Sequence, residues 1–354
     1  MVDKAQDIQL VQAEPVRQFC ISASECVGLS REHAELLADP LIQADLRGVY
    51  SQGVSRFTRY IRGYQAGGIN PKPDIKVVKE SKASAVMDAD DGMGYIAGYP
   101  AMRLAMDKAA QCGVGTVTVR RSNHYGMAAY WSMMALERDM IGYTTTSAPA
   151  SLAPWGGITP SYGNNPVSYA IPAGEELPLV LDIAMSVTVM GAVRLFALKN
   201  EPIPSGWALD KYGEPTTDAQ SAIEGLLLPI ADYKGYGMAL VNDVLCGVLS
   251  GGSFGADIPK SPADRFVGSG CCQFFMAFDI SHFRPVAEFK ERVDIMVRMM
   301  KSSQLAKGHD RIYLPGEKEF ETHNRQIKEG ISYSKEIIDQ LKILAQDIGI
   351  TTDF

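Results

Sequence analysis

The residue best placed to move a proton is His124, in Arg120-Arg121-Ser122-Asn123-His124-Tyr125-Gly126, directly after the β-branched run Gly115–Val119. The end of a parallel strand in an α/β layer faces the crevice where such proteins bind ligands. An imidazole there gives or takes a proton near neutral pH. A second cluster runs through Asp45-Leu46-Arg47-Gly48 and Ser51-Gln52-Gly53-Val54-Ser55-Arg56. Two arginines beside hydroxyls and glycines can hold a carboxylate bidentately. The competing reading is a helix C-terminus capped by Gly48, with its arginines on a solvated face, and on the residues alone it is the stronger one. Asp182 ends an apolar strand and is either a helix N-cap or a functional carboxylate. Lys234-Gly235-Tyr236-Gly237 opens a helix. Its glycines admit a ligand to amides that favour an anion, or else they permit close helix packing.

Several chemistries have no support. There is no GxxxxGK[ST] loop, and Gly113-Val114-Gly115 and Gly235-Tyr236-Gly237 lack the third glycine of a dinucleotide fingerprint. No HExxH or EF-hand pattern occurs, so no metal site is expected. Gly251-Gly252-Ser253-Phe254-Gly255 matches GxSxG, but a helix precedes it and a proline-containing loop follows. A nucleophile elbow needs a strand before and a helix after.

The elements that must position these residues follow from composition and pattern. The 354 residues are 46% hydrophobic and 21% charged, which excludes disorder and rod-like folds. A net charge of −7 without a basic block argues against nucleic acid and anionic membrane partners. No apolar run is long enough to span a bilayer, and Met1–Val16 lacks a signal-peptide core. Cys20, Cys26, Cys112, Cys246, Cys271 and Cys272 form no CxxC pair, so reduced thiols in a cytoplasmic protein are expected. The first 46 residues read as helices, with Ser30 as a cap. Segments 75–79, 83–88, 115–119, 141–146, 167–171, 177–182 and 272–279 read as strands. Helices are expected at 100–112, 127–136, 234–249, 288–305 and 335–344, and punctuated loop over 202–215. Helix 234–249 is apolar nearly all round and is expected to be central. The alternation predicts an α/β layer flanked by helices from both termini.

Taken together, these segments resemble the malate/L-lactate dehydrogenase-like oxidoreductases, a group that includes ureidoglycolate and sulfolactate dehydrogenases and cyclic-imine reductases. The resemblance spans essentially the whole chain. It rests on Ala44–Gly48, Ser51–Arg56, Ser122–Gly126, Ala153–Gly157, Gly163–Pro166, Asp182–Ala184, Ile203-Pro204 with Gly206-Trp207, Lys234–Gly237 and Leu314–Glu317, in that order. It implies an α/β fold with a non-Rossmann, mixed-sheet NAD(P)-binding domain over 76–279. A helical unit of 1–75 with 280–354 would serve substrate binding and dimerisation. It implies a homodimer, NAD or NADP as cofactor, and hydride transfer to or from a small 2-oxo/2-hydroxy acid. His124 is then the acid/base, with Ser51 and Asp182 also catalytic, and Arg56 and Gln52 at the substrate. Ser147, Asn165, Ile183, Ala184, Lys234, Gly235, His309 and Arg311 fall where the cofactor is held.

The chain departs from the family pattern near this site. Gln52 stands where the family usually has histidine, and an amide carries no proton at neutral pH. Val189-Met190-Gly191-Ala192 lacks the family's usual Gly-Lys pair, and Met185 replaces a threonine. Two alternatives follow: an imine reductase acting on a modified substrate, or a cofactor-binding homologue with lost or repurposed activity.

Overall fold

The computed structural model describes residues 8–262, 265, 267, 268 and 270–354. The chain opens with β1 (Ile8–Val11), α1 (Ala13–Cys26), α2 (Arg31–Leu46), two single 3-10 turns (Tyr50–Gln52 and Val54–Arg56) and α3 (Phe57–Gln65). Then come β2 (Lys76–Glu80), β3 (Ser84–Asp88), α4 (Gly94–Cys112), β4 (Val114–Ser122), α5 (Ala128–Met133) and β5 (Met140–Thr146). Next are β6 (Val167–Ile171), β7 (Leu179–Ile183), α6 (Met190–Leu198), β8 (Ala208–Leu209), β9 (Pro215–Thr216), α7 (Ala219–Glu224) and β10 (Leu226–Leu227). The remainder is α8 (Tyr233–Asp243), β11 (Cys271–Asp279), α9 (Val286–Lys301), α10 (Glu317–Glu329), β12 (Ile331–Ser334) and α11 (Lys335–Ile348).

A 7-stranded sheet of order β2-β3-β4-β11-β5-β6-β7 carries the molecule. Only β3 and β4 run parallel; every other neighbouring pair is antiparallel. The α/β layer is therefore mixed, and the strand before His124 is parallel on one side only. The termini meet where β1 pairs with β12, Val11 opposite Ile331. One core runs from Val16, Phe19, Leu37 and Leu41, through Met102 and Met106 of α4, to Ile338 and Leu341 of α11. The Ser30 hydroxyl starts α2 by accepting the His33 N–H at 3.2 Å. The contacts of α9 are elsewhere: Val293 and Val297 pack with Ala173, Ile171 and Leu179 at the β6–β7 edge.

Three differences from the sequence pattern have plain causes. Over 202–215, where punctuation reads as loop, β8 and β9 form a small sheet with β10 that encloses Val193, Ile203, Ala222 and Leu227 with the flanking α6 and α7. These elements are too short for an apolar period to register. α4 begins at Gly94 and carries Pro100 inside it rather than at its start. α8 and the π-helical turn that continues it (Val244–Val248) are not central: Ala239 and Cys246 are buried, while Val241, Val244 and Val248 are exposed. An all-apolar helix can be buried by its own fold or by a second surface, and sequence does not separate the two. Among the described residues no helix is long and apolar enough to cross a membrane.

Trp131 of α5 is fully buried, stacks with Tyr125, and donates its indole N–H to the Tyr125 carbonyl at 2.8 Å. Trp131→Ala should cost about 3–5 kcal/mol, read as a lowered denaturant midpoint with an unchanged slope.

Candidate active site

His124 sits just past β4 in a loop held from several directions. Asn123 donates to the Asp91 and Gly92 carbonyls at 2.8 and 3.0 Å, and Gln273 of β11 donates to the Asn123 carbonyl at 2.9 Å. The Gly94 N–H donates to the His124 carbonyl at 3.1 Å. A Cβ at Gly94 would lie 2.5 Å from the Asn123 carbonyl oxygen, so α4 starts with glycine. The ring itself packs near Tyr60 and Tyr95. Its Nδ1 lies 2.8 Å from the Tyr60 hydroxyl and 3.3 Å from the Gly126 nitrogen. The Gly126 N–H can only donate, so Nδ1 accepts and the ring proton resides on Nε2. Burial, and after it the charges of Arg56 and Arg59, push the imidazolium well below its usual value. The ring is neutral at pH 7.

A cavity of about 380 Å³ opens beside it, walled by His124, Gln52, Thr146 and Ser147. Its basic residues are Arg56, Arg59 and Lys260, and no Asp or Glu lines it among the described residues. Arg59 is anchored by donation to the Pro262 carbonyl at 2.8 Å, and Arg56 by donation to the Ser51 carbonyl. Such a pocket binds a small anion.

A second cavity, about 540 Å³, adjoins the first and shares Gln52, Gly126, Asn164 and Pro166 with it. Its walls are Asp182–Ala184, Val189, Tyr313–Gly316 and Arg47. Asp182 caps α5 by accepting the Ala129 N–H at 2.8 Å. Its carboxyl opens onto the cavity, yet the crowding of protein around it raises its pKa to about 6, against the lowering effects of Ala129 and Arg47. The full shift applies once a ligand displaces the cavity's water. Arg47 is 5% exposed and stacks on Phe320 at 4.3 Å. Its Nε and Nη2, and Gln52 Oε1, are buried with no hydrogen-bond partner. Orphaned donors and an orphaned acceptor around a mostly apolar cavity fit a large polar ligand with flat faces, as a dinucleotide has.

The profile of the malate/L-lactate dehydrogenase family matches residues 11–342. This chain belongs to that family. It is similar to the malate dehydrogenase of Pyrococcus abyssi, 39% identical over 94% of this chain and 93% of the relative. It is also similar to the malate/(S)-sulfolactate dehydrogenase of Methanothermus fervidus, 35% identical over 96% of this chain and 98% of the relative. The solved sulfolactate dehydrogenase of Methanocaldococcus jannaschii superposes with a TM-score of 0.91 at 36% identity, covering 97% of this chain and 98% of that one. This family member is therefore a dehydrogenase with the family's mixed α/β fold.

The dehydrogenase gathers most, though not all, of the residues singled out in its sequence. His124, Arg56, Gln52 and Ser147 share the smaller cavity, while Ser51, Asp182, Ile183 and Ala184 line the larger. Ser147 also accepts the Cys272 N–H at 2.9 Å. Asn165 is buried with its amide spent on the Ala148 N–H and the Ala239 carbonyl, both at 2.9 Å. Its neighbours Asn164 and Pro166 line the cavities instead. Lys234 lies in a separate hollow with Tyr143, Tyr169 and Met276. Gly235 packs against the Ile230 carbonyl, where a Cβ would come within 1.9 Å. His309 is exposed and lines neither cavity. Arg311 pairs with Glu317 and Glu321 and stacks over Tyr313, so it reaches the larger cavity only through that ring. Arg47, Arg59, Lys260 and Tyr60 complete the site. Of these, Arg47 stood in the sequence cluster with Arg56, whereas Arg59, one helical turn beyond Arg56, was not singled out.

Asp182 supplies a pH test. With its carboxyl raised to about 6, the protonated form is favoured on folding. That stability is complete below the unfolded pKa of about 4 and is lost as pH rises through the folded value. In the ligand-free protein, where water still reaches the carboxyl, Asp182→Asn should therefore have a thermal midpoint slightly above the parent's near neutral pH, and the two curves should merge in acid.

Proposed function

We propose that this dehydrogenase interconverts a small 2-oxo acid and its 2-hydroxy acid, using NAD or NADP, on a substrate that carries a second acid group. The observation that carries this reading is the cavity beside His124, with Arg56, Arg59 and Lys260 on its walls and no lining carboxylate among the described residues. A monoacid engages one cation of this wall; a dianion engages a second. Malate and sulfolactate, the substrates named for relatives, each carry two acid groups.

Arg56 takes the carboxylate next to the reacting carbon, and Arg59 with Lys260 takes the distal acid. His124 Nε2–H donates to the oxygen of the oxo group as negative charge develops there. Tyr60, donating to Nδ1, keeps the ring in that tautomer, while burial holds the phenol's own proton in place; water entering the cavity restores the Nε2 proton between turnovers. The larger cavity, with Asp182–Ala184, Arg47 and Tyr313, is where the dinucleotide would be held. Its nicotinamide would supply the hydride. Gln52, on the shared wall, hydrogen-bonds but moves no proton, so in this reading protonation belongs to His124 and the reaction survives the departure from the family's histidine. Among the described residues no disulfide joins the six cysteines, which suits a reducing, cytoplasmic setting. The terminal helices and the sheet would divide as substrate and cofactor units. The exposed row Met238, Val241, Val244, Val248 and Leu249 would be covered by a second copy in a homodimer. Sedimentation tests that arrangement, with Val244→Glu expected to shift the protein to monomer.

The deciding assay is steady-state oxidation of NADH and NADPH with oxaloacetate, sulfopyruvate and pyruvate. The diacids should exceed pyruvate in kcat/KM by about 10–100-fold, one charge-assisted contact. Arg59→Ala or Lys260→Ala should erase that preference while leaving pyruvate within a few-fold. Equal rates on all three acids would sink the dianion reading. His124→Ala should lower kcat by about 10²–10⁴-fold.

A further inference from the structure

The loop that carries Ser51, Gln52 and Arg56 rests on a buried carboxylate. Asp45, in the last turn of α2, is 1% exposed. Its Oδ2 accepts the Val54 N–H at 3.0 Å and the Tyr333 hydroxyl at 2.8 Å, while Oδ1 has no hydrogen-bond partner. Gly53 lies so close above it that a Cβ there would sit 1.7 Å from Oδ1. Gln326 of α10 completes the layer. Its amide donates to the Asp45 and Leu46 carbonyls at 2.9 and 3.1 Å. Its oxygen accepts from the Ser332 N–H at 2.8 Å and the Tyr50 hydroxyl at 3.0 Å. Within the loop, the Ser55 hydroxyl donates to the Tyr50 carbonyl at 2.6 Å and Arg56 to the Ser51 carbonyl. The loop is thus one folded unit, seated on Asp45 and tied to a strand near the far end of the chain.

We propose that Asp45 and Tyr333 are positioning residues that set where the substrate loop sits, so that β12 governs how tightly Arg56 holds the substrate's carboxylate. This rests on the reading of Arg56 above. A carboxylate is an expensive way merely to end a helix in an apolar core, because desolvating it costs several kcal/mol. What it provides is an acceptor strong enough to hold a backbone N–H from the loop and a hydroxyl from β12 at one oxygen.

The device responds to pH. The titratable groups that face Asp45 are Cys20 of α1, Tyr50 of the loop, Tyr95 of α4 and Tyr333 of β12, none of them a cation. Burial therefore prevails over the Val54 and Tyr333 hydrogen bonds and raises Asp45 to about 7. The ionised form holds both donors strongly and the protonated form holds them weakly. The grip on a substrate carboxylate should tighten as pH rises through that value.

The test uses the whole protein with saturating NADH or NADPH, and oxalate as an unreactive probe of the carboxylate site. Oxalate affinity is measured by calorimetry from about pH 6 to 8.5, the span across which Asp45 ionises. Hydrogen exchange is followed over residues 50–56. Asp45→Asn and the milder Tyr333→Phe should each weaken oxalate about tenfold, the worth of one hydrogen bond to a charge. Both should speed exchange in the loop and leave dinucleotide affinity unchanged. Asp45→Asn should also flatten the pH dependence. Folded variants with parental exchange over 50–56 and parental oxalate affinity at every pH would overturn the proposal. Undiminished oxalate binding by Arg56→Ala would instead refute the role of Arg56, and exchange in the loop would still decide the clamp.

Discussion

The site depends on β11 being inserted between β4 and β5. His124 follows one of those strands and Ser147 the other, and the two strands touch only through β11. Its ladder pairs Phe275 with Val117 on one side and with Thr144 on the other. At the end that meets the cavity it does more than pair. Gln273 holds the Asn123 carbonyl, and Cys272 exchanges backbone and side-chain hydrogen bonds with Ser147. The register shifts between Cys271 and Gln273, and Cys271 reaches the cavity wall. Bulges re-aim side chains in this way beside active sites. The reacting histidine and the small polar residues opposite it are therefore positioned by a strand that arrives from far along the chain.

Desolvation then sets the protonation state of each group. It acts against whichever form is charged, so one cause moves His124 down and moves Asp182 and Asp45 up. The result is a neutral imidazole beside clustered arginines and two carboxyls that titrate near physiological pH. Arginine tolerates the same surroundings because its guanidinium remains charged. Arg47 keeps two nitrogens without partners next to the larger cavity, a cost that a ligand can relieve.

The strands and most helices were legible in the sequence because their apolar periods are local. Ser30 announced α2, and the alternation of short runs announced an α/β layer. His124 was legible from its place after a β-branched strand, and Arg56 only through the family resemblance, because its cluster alone favoured a solvated helix end. Arg59 follows Arg56 by one turn of chain, yet nothing local shows that both face a cavity. Lys260 carried no signal, since it enters from a loop remote in sequence. Asn165 and Asn164 are indistinguishable as residue types. The backbone turn at Asn165, with φ of 24°, buries one and presents the other.

By itself the sequence determined which segments become helix or strand, which residues can carry charge or a proton, and the family to which their order belongs. Tertiary structure alone decided that the sheet is mostly antiparallel, that α8 lies at the surface, that Lys234 and His309 stand apart from both cavities, and that Asp45 supports the substrate loop. The reason is physical. Secondary structure follows from repeats of 2 and 3.6 residues that any short window contains. Strand order, cavity walls and buried charge depend on contacts between residues such as Asp45 and Tyr333, which only the folded packing brings within a hydrogen bond of each other.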